Sequence, residues 1–214
     1  MTSAKSKFDK NILEGATCLE NFDLNSNIFA LRYIWIVSVS SFDLYMTELV
    51  SEIGLRWIDQ NPPVLTANLR QVHIPLENAL QIDQLPPAEK LIFYRDHVYN
   101  SVRYTSFYKP EKVSEALSYI WICPAKEKWA RITARMKALG RYQNRTERDI
   151  RDELTLIGDR RDLIAHSVDT PPGAETANPV IRDDAVRVID FISDLALAID
   201  QETEEQLTVA AFGL

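Results

Sequence analysis

Glycine is scarce in this chain, six residues in 214. That argues against a turn-rich all-β sandwich. Neither G-x-x-x-x-G-K nor G-x-G-x-x-G occurs, so both glycine-loop phosphate cradles are excluded. Two cysteines, Cys18 and Cys123, cannot build a disulfide framework or a four-ligand zinc site. The three histidines, His73, His97 and His166, lack ligand spacing, so neither a metal site nor a cofactor is expected. Long apolar runs are missing as well. The most apolar stretch, residues 28–39, is interrupted by Arg32 and is too short to span a bilayer. The first eleven residues are polar and carry no signal-peptide core. The expectation is a cytoplasmic protein with no membrane partner.

Positive charge is also in deficit. The net charge of −7 and a sequence pI near 5.1 oppose bulk nucleic-acid binding. The deficit is uneven: residues 126–161 hold eleven Lys/Arg and six Asp/Glu, a local +5, which leaves −12 for the rest. The Arg131/Arg135 and Arg141/Arg145/Arg148 spacings suit a face that tracks phosphates, and equally a solvated helix face.

What remains is an ordinary soluble composition, 46% hydrophobic and 26% charged, at the length of one domain. The apolar periodicity is helical. Leu31, Trp35, Val39, Phe42, Met46, Leu49, Val50, Ile53 and Trp57, with Ile28, mark one long helix over 27–59, stopped by Asn61-Pro62-Pro63. Residues 64–85 are ambiguous. A helix over 87–104 should face inward through Leu91, Tyr94, Val98 and Val102. Pro110 and Pro124 open two more, to about 123 and 140. Asn144-x-x-Glu147 reads as a capping box for a helix reaching His166. A proline-rich loop follows, and a last helix over about 182–205 should face inward through Val186, Ile189, Phe191, Ile192, Leu195 and Ile199. The expected architecture is a single all-α domain of six or seven helices. Residues 27–206 form the domain, 1–26 an N-terminal extension with some helical character, and 207–214 a tail.

Chemistry concentrates at Asp159-Arg160-Arg161-Asp162-Leu163-Ile164-Ala165-His166. On a helix, Ile150, Leu154, Ile157, Arg161 and Ile164 share one stripe. An arginine there must meet a carboxylate, a partner chain or an anionic ligand. The apolar residues around it suggest a stripe that faces another protein surface. Asp162 and His166 are i, i+4 neighbours, so the carboxylate can orient the imidazole. Arg161 and His166 lie ~140° apart on the helix, so one copy does not aim both at one point. A purely structural reading is also available: a buried Arg–Asp pair, and a histidine complementing the helix C-terminal dipole.

Arg161-Asp162-x-x-x-His166 resembles the R-polar-x-x-x-H motif of the HEPN superfamily of metal-independent ribonucleases. The segments 35–45, 107–113 and 160–166, with the last helix, are similar to the RiboL-PSP-HEPN subgroup. The resemblance spans about Ile28 to Asp200. It implies a HEPN-type helical bundle and a homodimer whose two motif helices build a composite cleft. It implies cleavage of RNA through attack by the 2′-OH, leaving a 2′,3′-cyclic phosphate and a 5′-OH. His166 would be general base or acid, Arg161 would hold the scissile phosphate, and Asp162 would orient His166. Arg160, Arg148, Arg145 and Arg141 would be RNA-binding. Family association implies a toxin or antiphage-defence effector, with an antitoxin or defence-system partner protein. HEPN toxins silenced by a nucleotidyltransferase usually carry tyrosine two residues after the histidine. Here Val168 stands at that place, so such silencing does not carry over. The rival reading is a non-catalytic HEPN module, an RNA- or nucleotide-binding or scaffold partner in a larger complex.

Overall fold

The computed structural model describes residues 1–21, 28–60 and 65–212; the Asn61-Pro62-Pro63 stop lies outside them. Among the described residues the chain is all-helical, with nine helices: α1 (Ser3–Asn21), α2 (Ile28–Asp59), α3 (Ala67–Arg70), α4 (Leu76–Ile82), α5 (Pro87–Val102), α6 (Pro110–Leu117), α7 (Ala125–Ala138), α8 (Glu147–Ser167) and α9 (Arg182–Phe212). The expected count of six or seven falls short by α1 and the two short helices α3 and α4. Helices this short carry too few residues to show a period.

α2 is the central element. By length and apolar composition alone it would cross a membrane. Here its Leu31, Trp35, Val39, Phe42, Met46, Leu49, Val50 and Ile53 are buried in the bundle. α1, α5, α8 and α9 pack around it. α1 belongs to this core rather than to an appendage, since Ala4, Phe8 and Ile12 are buried against α2. Glu52 of α2 accepts the Ser3 and Ala4 N–H groups at 3.3 and 3.0 Å and so anchors the start of α1.

All four tryptophans are core residues with satisfied N–H groups. Trp35 donates to the Ile157 carbonyl at 2.9 Å and Trp57 to Ile120 at 3.1 Å. Trp121 donates to Thr203 Oγ1 at 2.9 Å and Trp129 to Pro110 at 3.0 Å. The bond from Trp35 fixes α8 against α2.

Several expected inner faces are narrower than the periodicity suggests. On α5 only Val98 and Val102 are buried; Leu91 and Tyr94 are half-buried. Val186 of α9 is exposed, while Val188, Phe191, Ile192, Leu195 and Ile199 are buried. α9 also runs past the expected end near 205 to Phe212, into the region read as a tail. α6 stops at Leu117 rather than near 123, and residues 118–120 turn so that Ile120 and Trp121 reach the core.

Candidate active site

α8 carries the motif, and its capping box lies two residues beyond the expected Asn144/Glu147 box. Thr146 is the cap: its Oγ1 accepts the Asp149 N–H at 3.2 Å, and Asp149 Oδ2 accepts the Thr146 N–H at 2.7 Å. α8 ends in a left-handed pair, Val168 at φ 54° and Asp169 at φ 65°. A β-branched residue there is strained, by about 1–3 kcal/mol. The fully buried Asp169 holds the turn closed. Arg160 Nη2 lies 3.1 Å and Arg32 Nε 3.5 Å from its Oδ2, and its own carbonyl accepts Asn178 N–H at 2.8 Å. Arg32, inside apolar α2, is thereby explained: its carboxylate partner is Asp169.

The stripe of Ile150, Leu154, Ile157 and Ile164 is buried within this one chain, 7% exposed at most. The expectation that it faces another protein surface is corrected: it packs on α2, α6 and α7. The outward face of α8 holds Leu156, 68% exposed, with Asp159, Leu163 and His166.

Arg161 turns inward toward α2 and meets carboxylates. Its Nη1 donates to Asp162 Oδ1 at 2.9 Å, and Asp43 of α2 lies within its field. Its Nε is buried with no acceptor among the described residues. Asp162 is held from the other side by Tyr108, whose Oη–H donates to Oδ2 at 2.7 Å. Burial raises the Asp162 carboxyl, but the hydrogen bonds from Tyr108 and Arg161 and the positive charges of Arg161 and His166 hold it below the usual carboxylate range. The bond to Asp162 is the main reason the Tyr108 hydroxyl is pushed up to about 12.

His166 is exposed on the last turn and makes no hydrogen bond among the described residues. Both Asp162 oxygens are engaged elsewhere, so the expected Asp162–His166 hydrogen bond is replaced by an electrostatic contact alone.

The four arginines expected to bind RNA each face a carboxylate of the chain. Arg141 lies 2.9 Å from Asp190, Arg145 3.0 Å from Glu153, and the strongly exposed Arg148 3.4 Å from Asp152. Arg160 pairs with Asp169, donates to the Pro179 carbonyl at 2.6 Å and stacks 4.8 Å over the Trp35 ring. Arg131 and Arg135 bind Glu202 at 3.0 Å each and tie α7 to α9. A cleft of about 770 Å³ between α8 and the start of α9 is lined by Arg145, Arg160 and Arg187. It is lined equally by Asp149, Asp152, Glu153 and Asp159, and does not include Arg161 or His166.

His97 Nδ1–H donates to the Phe93 carbonyl at 2.9 Å and the ring stacks on that of Phe93, which accounts for it structurally. His73 is exposed.

Two residues of the site were not legible as such in the sequence: Asp43 and Tyr108. One signal pointed to the second. Gly158 stands mid-helix in α8, where glycine costs stability and marks a close approach. A Cβ there would lie 2.1 Å from the Tyr108 ring.

The fold and site define an all-α domain with an Arg-Asp…His set on the last turns of its penultimate helix. No family model, no curated protein and no solved structure matches the chain.

Proposed function

We propose that the protein is a metal-independent endoribonuclease of HEPN type, acting as a homodimer. The observation that carries this reading is the state of the two key groups on α8. His166 is exposed, with neither ring nitrogen engaged among the described residues, and Arg161 keeps guanidinium N–H groups that Asp162 does not take. A proton-transfer group and an unsaturated guanidinium are what 2′-OH attack on a phosphodiester needs. The 2′-oxygen bonds to phosphorus and the P–O5′ bond breaks. A proton leaves the 2′-OH and the departing 5′-oxygen gains one. His166 serves as base or acid, and Arg161 offsets charge on the phosphoryl oxygens. Their separation of ~140° around α8 calls for a second copy to complete the site. A role as toxin or antiphage-defence effector, restrained by an antitoxin or defence-system protein, extends the same resemblance.

The non-catalytic reading, an RNA- or nucleotide-binding or scaffold module, is favoured by one observation. The large cleft is net acidic and its arginines are already paired, which suits a protein surface better than a phosphate track.

The deciding experiment is cleavage of total RNA in EDTA by the parent, His166→Ala and Arg161→Ala. The parent should cut and leave 2′,3′-cyclic phosphate ends. Each variant should lose ~10²–10⁴ in rate. Equal cutting by all three, or 5′-phosphate products, would overturn the reading.

A further inference from the structure

Asp43 is an expensive residue. It sits on the core helix α2, largely withdrawn from water, where an apolar side chain of similar volume would cost less. Burial pushes its carboxyl up to about 6, against the pull of the Phe107 N–H and of Arg161; the like charge of Asp162 adds to the rise. What it does there is visible in the hydrogen bonds. Asp43 Oδ1 accepts the backbone N–H of the fully buried Phe107 at 2.6 Å. The next residue, Tyr108, lays its ring on α8 at Gly158 and donates to Asp162 Oδ2 at 2.7 Å. Asp162 Oδ1 takes Arg161 Nη1 at 2.9 Å. A continuous line therefore runs from α2, through the corner before α6, to the guanidinium on α8.

The line has a consequence for Arg161. A free aspartate beside an arginine can turn and take two N–H groups at once, since the fork matches both carboxylate oxygens. Tyr108 occupies the second oxygen, so Asp162 meets Arg161 through one oxygen only. The remaining Nη donors stay available to an anion, while Nε is buried.

We infer that Asp43 and Tyr108 are positioning residues for Arg161: Asp43 fixes the Phe107-Tyr108 corner and faces the guanidinium from the core side, and Tyr108 restrains Asp162 so that Arg161 presents open donors to an RNA phosphate. This rests on the ribonuclease reading. Neither residue touches substrate.

The test is steady-state cleavage of a defined RNA oligonucleotide in EDTA by the full chain. The variants are His166→Ala, Tyr108→Phe, Asp162→Asn, the Tyr108→Phe/Asp162→Asn double and Asp43→Asn. Tyr108→Phe keeps the ring on Gly158 and removes only the hydroxyl. Asp43→Asn keeps an oxygen for Phe107 and removes only the charge. Tyr108→Phe, Asp162→Asn and Asp43→Asn should each lower kcat by about 10–100-fold, as loss of an outer supporting partner does, with KM within about threefold. The double variant should be no slower than the slower single, because both act through one line. A structural role for Asp43 predicts unchanged kcat in a protein that is no less stable; a positioning role predicts lower kcat in that same protein. A parent that cuts while Tyr108→Phe and Asp43→Asn stay within about twofold in kcat overturns the inference alone. A parent that cuts no better than His166→Ala overturns the ribonuclease reading, and the inference with it.

Discussion

At the scale of single residues, Asp43 links stability to pH. Its carboxyl titrates at 3.8 when unperturbed and near 6 in the fold. Between those values the folded state binds more protons than the unfolded one, so stability falls as pH rises through this window. Above about 6 the whole cost is present; below 3.8 it is gone. Asp43→Asn should therefore stabilise the protein by about 1–3 kcal/mol near pH 7.5 and by almost nothing near pH 4. Denaturant midpoints at the two pH values measure this. A gain that is equal at both would show that the carboxylate is not desolvated. Asp162 runs the other way. Its lowered pKa stabilises the fold at neutral pH, and that stability is lost as acid protonates it.

At the scale of elements, α8 and the corner before α6 are matched at one glycine. Replacing glycine by alanine inside a helix ordinarily gains about 1 kcal/mol through propensity. At Gly158 the added methyl would meet the Cδ2, Cγ and Cβ atoms of Tyr108 at 2.1–2.4 Å. Because Cβ is among them, a rotamer change alone does not clear the clash. Overpacking of this kind costs about 1–3 kcal/mol, so the clash should win. Gly158→Ala is expected to lower the melting temperature and to cut cleavage by displacing Tyr108. Higher stability would place Tyr108 elsewhere. The far end of α8 shows the same dependence on neighbours: Val168 keeps a strained left-handed backbone because Arg32, Arg160 and Asn178 converge on Asp169 just beyond it.

At the scale of the whole molecule, the proposed dimer would use the outer side of α8, the face that bears His166. Leu156 stands out, 68% exposed and about 80° around the helix from His166. Leu163 lies on its stripe, and Asp152, Arg148 and Asp159 supply charges of both signs, as an isologous contact requires. In the dimeric reading, the parent should have twice the chain mass at micromolar concentration, and Leu156→Arg should shift it to monomer and abolish cleavage. Light scattering with a parallel RNA assay decides it. A parent that is monomeric and still cuts would refute the composite site.

Periodicity identified the all-α class, the long core helix α2 and the helix carrying Arg161 to His166, because amphipathic helices write their burial every three to four residues, and prolines marked the starts of α6 and α7 and the loop after α8. It also required that Arg161 find a charged partner, since burial of an unpaired guanidinium is too costly. Which partner was a tertiary matter. Asp43 and Tyr108 stand 118 and 53 positions from Arg161 in the chain, and no local pattern joins them to it. Tertiary packing likewise turned the apolar stripe of α8 into the chain's own core and spent most of the basic run on ion pairs. It also brought α1 into the bundle. Charge and hydrophobicity are local properties of a sequence, whereas the groups that neutralise or cover them are chosen by the fold.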